Sequence, residues 1–137
     1  MTDAEFQRIG ETLSELGVST RTKGFRFFTI AIRLYVENII TDPELLHKIT
    51  QKTALISGES KIAVERNMYD TLNTGWPRRN VELANSIFGS FLQSEADVPS
   101  VSLYISMIGE WILKDVSDNK CPAASGWTAD QGVLQTL

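Results

Sequence analysis

Thr53 to Trp76, TALISGESKIAVERNMYDTLNTGW, is the stretch on which the reading of the whole chain turns. Ala54-Leu55-Ile56-Ser57 suits the end of a short helix, and Gly58 breaks it. Ser60 then caps a second helix by accepting from backbone N–H groups two or three positions on. The spacing carries more than the composition. A helix-turn-helix needs a small residue where its helices cross, and Ala54 supplies one. Four residues later the chain turns sharply, often with positive φ, and Gly58 sits there. Six further on, Val64 plugs the second helix back onto the first. Val64, Met68 and Leu72 recur at helical spacing as a buried stripe. Lys61, Ile62, Glu65, Arg66 and Tyr69 are left on the opposite face, where a reading helix meets the DNA major groove. The other reading of the same spacing is an αα-corner in an ordinary bundle, with Gly58 as a C-cap.

Composition narrows the function classes. With 137 residues the chain has room for one domain and too little for two ordinary ones. Its 42% hydrophobic and 22% charged residues suit a soluble globular protein. One cysteine and one histidine exclude an internal disulfide, nucleophile triads and most zinc sites. His47 stands apart from other ligand-type residues and reads as a surface or groove-edge side chain. The acidic, amphipathic opening MTDAEFQRIGETLSELG carries no secretory signal, and no apolar run is long enough to span a bilayer. A cytoplasmic protein without cofactor, metal, membrane attachment or small-molecule substrate is therefore expected. The net charge of −4 argues against indiscriminate nucleic-acid binding. Its distribution softens that argument, because residues 21–80 hold ten basic residues against six acidic ones. The positive charge lies with the DNA-binding half.

Periodicity predicts an all-α bundle of about six helices. Phe6, Ile9, Leu13 and Leu16 mark the first, which Gly17 ends, and Asp3 and Glu5 suit its N-terminal dipole. From Thr20 to about Ile40 the chain is at its most apolar. Phe25, Phe28, Ile32, Tyr35, Val36 and Ile39 mark one broad face, widened by Phe27, Ile30, Ala31 and Leu34. Such a helix is the central one of a small bundle, and its aromatics read as core rather than as a stacking platform for bases. Pro43, with Asp42 or Thr41 as cap, opens the first arm of the helix-turn-helix. Pro77 stops the reading helix, Asn80 caps the next, and Gly89 closes that one, with brief helical spacing resuming at Phe91 and Leu92. A polar loop from Ser94 to Ser100 leads to a last buried helix, Val101 to Leu113. The domain is thus expected to span 1–117, with 118–137 a flexible tail in which Trp127 is the one feature suited to docking.

Taken in order, these residues resemble the C-terminal effector domain of the master response regulator of endospore formation, the stage 0 sporulation protein A family. The similarity runs from about Leu16 to Leu113 and needs no gap between Lys23 and Trp76. It is carried by Leu16-Gly17-Val18, Lys23-Gly24-Phe25, Val64-Glu65-Arg66, Trp76 with Arg78 and Asn80, Phe88-Gly89, and the Pro99 loop. The resemblance implies an all-helical domain that binds duplex DNA as a pair and controls transcription. It also marks departures. The family's receiver domain has no counterpart in the roughly 20 residues before Lys23, so no aspartyl-phosphate switch is expected on this chain. Family members carry basic residues at the positions of Ala63, Tyr69 and Asp70, and lysines at those of Ala96 and Val98.

Two functions from different classes follow. In the first, a sequence-specific regulator uses Arg66 on a guanine edge and Glu65 on a cytosine or to orient Arg66. Lys61, Arg78 and Arg79 meet phosphates, and Tyr69 completes the reading face. In the second, a degenerate effector domain binds a protein partner, a related regulator, without strong DNA binding of its own. An enzyme is a distant third, since no nucleophile–base or carboxylate pair stands out. Self-association is expected to be weak, a homodimer formed on DNA, because no long heptad or large apolar stripe offers a permanent interface.

Overall fold

Helix boundaries in this chain fall where a side-chain oxygen can accept from free N–H groups or where a glycine can take positive φ. The computed structural model describes residues 3–39, 41–42, 44–89 and 98–120. Among the described residues are helices α1 (Asp3–Glu15), α2 (Lys23–Asn38), α3 (Leu45–Ser57), α4 (Lys61–Gly75), α5 (Val81–Phe88) and α6 (Val101–Lys120), and no strand. A 3-10 turn, Trp76–Arg78, follows α4 directly. The all-α expectation holds. Pro43, the Asp3 and Glu5 side chains, Phe91, Leu92, Ala96, Cys121 and Trp127 lie outside the described residues, as do the ends assigned to Ile40 and to the tail beyond Lys120.

Hydroxyl and amide caps set four of the starts. Thr22 Oγ1 accepts from Phe25 N–H at 3.1 Å, so α2 opens at Lys23, later than the predicted Thr20. Ser60 Oγ accepts from Ala63 N–H and Asn80 Oδ1 from Leu83 N–H, each at 3.1 Å. Ser100 Oγ does the same for Leu103. Each such bond satisfies a donor that has no partner inside its helix. The start of α3 is built differently. Asp42 Oδ1 accepts from Glu44 N–H at 3.3 Å and its other oxygen pairs with Lys48 at 3.0 Å. The hydrogen bond from Lys48 holds the Asp42 carboxyl below its usual range. At the far end of the chain α6 continues past Leu113, where the apolar pattern stops, to Lys120. Helical spacing is lost there, but no proline or glycine intervenes before Pro122.

α2 is the central element and packs against α1, α3, α4 and α6. Phe28 stands 4.9 Å from Tyr104 ring to ring, and Tyr35 Oη donates to Glu110 at 2.6 Å, so α2 and α6 run in the same direction. Burial, reinforced by that bond to a carboxylate, raises the Tyr35 phenol above its ordinary range. Phe27 and Ala31, read as widening the face, are wholly buried, whereas Phe25 and Val36 are only half-buried. The apolar face is rotated because α4 and α6 both press on α2. Two of its crossings leave no room for a side chain. A Cβ on Gly24 would run into Thr71 of α4, and one on Gly109 into the Tyr35 ring. An aromatic cluster of Phe28, Tyr104, Phe88 and Trp76 closes the core, with Phe88 and Tyr104 stacked at 5.7 Å.

Gly17 and Gly58 both take positive φ, +91° and +76°, but for different surroundings. Nothing lies within 4 Å of a Cβ built on Gly58, while one on Gly17 would strike the Gly75 carbonyl. Gly58→Val should therefore lower stability by about 2 kcal/mol through backbone conformation alone. Gly17→Ala should cost more than Gly58→Ala, because steric overlap adds to the same backbone term. Thermal unfolding of the variants measures both, and an unchanged melting temperature for Gly58→Val would contradict the left-handed turn.

Candidate nucleic-acid interface

The pair α3 and α4 is joined by Gly58, Glu59 and Ser60. Gly58 and Glu59 N–H both donate to the Ala54 carbonyl, at 3.0 and 3.2 Å, which ends α3 in a left-handed cap. Ala54 and Thr53 are buried on α3, and Val64, Met68 and Leu72 on α4. The crossing thus has the small residue, turn and plug that the spacing of Thr53–Trp76 predicts.

α4 has two sides with different duties. Its buried stripe joins the core, and its outer side exposes Lys61, Ile62, Glu65, Arg66, Tyr69 and Asp70. Ile62 is 69% exposed and Tyr69 61%, high for large apolar side chains. Ile62, Glu65, Arg66 and Tyr69 follow one another at three- and four-residue spacing, so they form a single strip. With a rise of 1.5 Å per residue the strip is about 10 Å long, close to three base-pair steps. Among the described residues nothing forms an ion pair with Lys61, Glu65 or Arg66. Their side chains stand on the outer ridge of α4. Two open grooves lie instead beside α1 and α2, and neither is lined by a residue of α4.

Four of the six predicted site residues, Lys61, Glu65, Arg66 and Tyr69, are therefore on one outward face. Arg78 and Arg79 are placed elsewhere, beyond the end of α4, and both are engaged with protein. Arg78 Nη2 donates to the Gly17 carbonyl at 3.0 Å. Arg79 Nη1 donates to the Trp76 carbonyl at 2.9 Å, and its guanidinium lies 4.5 Å from the Trp76 ring centroid. The first partnership spans 61 positions and is not visible in local sequence; the second joins residues three positions apart. Ile62, which the helical spacing places on the Lys61–Tyr69 face without assigning it a role, stands with those residues.

The surrounding elements hold this ridge in place. Asn80 N–H donates to the Glu15 carbonyl at 2.7 Å and Asn80 Nδ2 to the Glu15 carboxylate at 3.0 Å. Together with Arg78 and Gly17 they tie the end of α1 to the end of α4. The charges exposed on α4 itself, Lys61 and Arg66 against Glu65 and Asp70, balance.

This division makes a stability comparison. Arg66→Ala should leave the unfolding free energy within about 0.5 kcal/mol of the parent, as expected for an exposed residue without partners. Arg78→Ala should lower it by about 1 kcal/mol through loss of the bond to Gly17. Denaturant titration checks both, and equal effects would remove the distinction between outer face and joint.

The chain was also compared with known families. The family model described as Sporulation initiation factor Spo0A C terminal matches residues 9–112, most of the chain and every helix from α1 to α6 at least in part.

Proposed function

Because the chain belongs to the Spo0A C-terminal family, whose members are DNA-binding regulatory domains of sporulation and not enzymes, we propose that it is a sequence-specific transcriptional regulator reading the major groove with α4. The observation that carries this reading is the strip of Lys61, Glu65, Arg66 and Tyr69, exposed together on α4, with no ion pair to its charges among the described residues. An exposed helix face suits a groove in a duplex better than it suits a small ligand, which favours concavity.

Arg66, one turn into α4, presents a planar fork suited to the O6 and N7 acceptors of guanine. Glu65 accepts from the amino group of cytosine or steadies Arg66. Lys61 at the helix start and the Tyr69 hydroxyl meet phosphates, which fix register without reading sequence. Arg78 joins them. One of its five N–H donors is spent on Gly17, and that bond pre-positions the rest for a phosphate oxygen. Arg79, held on Trp76 by a hydrogen bond and by its ring face, contributes charge at longer range. Two copies bind adjacent half-sites and associate weakly without DNA.

A second reading has its own observation. Leu55, Ile56, Ile62 and Tyr69 are all exposed on α3 and α4, and the charges on α4 balance. Such a surface also suits a protein partner, a related regulator whose action the domain modulates.

Selection from random duplex DNA at two salt concentrations separates the readings. On the first, a motif is enriched, and Arg66→Ala loses about 1–3 kcal/mol with relaxed preference at one base pair. Arg78→Ala weakens all duplexes alike and reduces the salt slope by about one. Absence of any enriched motif, with neither variant differing from the parent, favours the protein-partner reading.

A further inference from the structure

The outer strip of α4 begins with a side chain that neither packing nor helix formation accounts for. Ile62 is the second residue of α4, is 69% exposed, and lines neither groove of the described surface. Its β-branch makes it a weaker helix former than alanine or lysine, so local stability gives no reason for it. A single exposed isoleucine is ordinary on a protein surface. This one lies three and four positions before Glu65 and Arg66 and seven before Tyr69, at the N-terminal end of the strip, the part of a reading helix that reaches base edges.

Resting on the DNA-binding reading above, we propose that Ile62 is a specificity-determining residue that packs against the C5 methyl of a thymine, within two base pairs of the pair read by Arg66. The chemistry leaves few other choices in the major groove. Guanine and adenine present acceptors and an amino group, and cytosine presents an amino donor, none of which an aliphatic side chain satisfies. Seated against cytosine, Ile62 would strip water from the N4 amino group and return no hydrogen bond. Against thymine it covers a methyl group and leaves O4 to water. Arg66, Glu65 and Ile62 then carry three distinct preferences along one strip, for guanine, for an amino donor and for a methyl. The offset follows from helix geometry, since the four residues from Ile62 to Arg66 advance about 6 Å along α4, under two base-pair steps. A 5-methylcytosine offers the same methyl beside a different edge, so the test separates the two.

The test uses the full chain and the duplex enriched by selection, with each thymine replaced singly by deoxyuridine, which removes the methyl and nothing else. The parent should bind about fourfold more weakly at one such position, the value of one buried methyl, and be indifferent at the others. Ile62→Ala, its helical content checked by circular dichroism, should bind the thymine and deoxyuridine duplexes equally. Indifference of the parent to every deoxyuridine overturns the inference while leaving the DNA-binding reading intact. A deoxyuridine penalty that persists in Ile62→Ala assigns the methyl to another residue and overturns it too. A gain on replacing cytosine by 5-methylcytosine, with no deoxyuridine penalty, overturns the thymine assignment. If selection enriches no duplex, the DNA-binding reading fails first and this inference with it.

Discussion

The contact between Gly17 and Gly75, backbone against backbone, is the constraint on which the rest of the arrangement depends. A Cβ on either would meet the other's main chain, and Gly17 must also hold φ at +91°. The approach brings the last turn of α1 to the last residue of α4. Once there, the Glu15 and Gly17 carbonyls lie within reach of Asn80 and Arg78. Asn80 then has a double task, bonding α1 through its N–H and amide while its Oδ1 caps α5. Trp76, between these contacts, is turned inward against Phe88 and Tyr104, with Arg79 over its face. Asn80, tied to the end of α1 and capping α5, thus links the start of α5 to a residue 65 positions earlier.

Several residues that carry the family resemblance are components of these joints. Leu16-Gly17-Val18 and Trp76 with Arg78 and Asn80 meet at the α1–α4 junction, Gly24 receives Thr71, and Phe88 stacks on Tyr104. These positions are constrained by space and by φ, and a sequence can change little there without losing the fold. Arg66 and Ile62 answer to no such constraint from inside the protein. The fold is therefore more firmly fixed than the surface that would meet a partner.

That difference explains what could be read in the chain. The turns at Gly17 and Gly58 and the caps at Ser60 and Asn80 involve neighbours in sequence, so these roles were legible, as was the Val64, Met68, Leu72 stripe. The contacts of Gly17 with Gly75 and of Asn80 with Glu15 were not. The start of the second helix was put at Thr20, three residues before Lys23, because Thr22 was not recognised as its cap. Which side of α2 faces inward was blurred, since a helix pressed from several directions has no sharp apolar edge: Phe27 is buried and Phe25 only partly. The outward face of α4 was found by subtraction from the buried one, which is why Lys61, Glu65, Arg66 and Tyr69 are together. Arg78 and Arg79 were not separable from them by charge alone. Arg78's partner lies on a turn 61 positions away that only the tertiary fold brings near, and Arg79's is the Trp76 ring and carbonyl three residues before it.

The Gly24–Thr71 crossing has one more implication. α4 is wedged against α2 at its middle and against α1 at its end, with Val64, Met68 and Leu72 locked in the core. A helix so held has little freedom to roll or tilt when its outer face meets a groove of unsuitable width. On the proposed reading, the adjustment in a complex with duplex DNA would fall on the nucleic acid, by kinking, twisting or narrowing of the groove. The energy of that distortion depends on the stiffness of each dinucleotide step, including steps that no side chain touches. On the proposed DNA-binding reading, discrimination among sequences would rest partly on the mechanics of the duplex, with a tolerance set by how soft the DNA is.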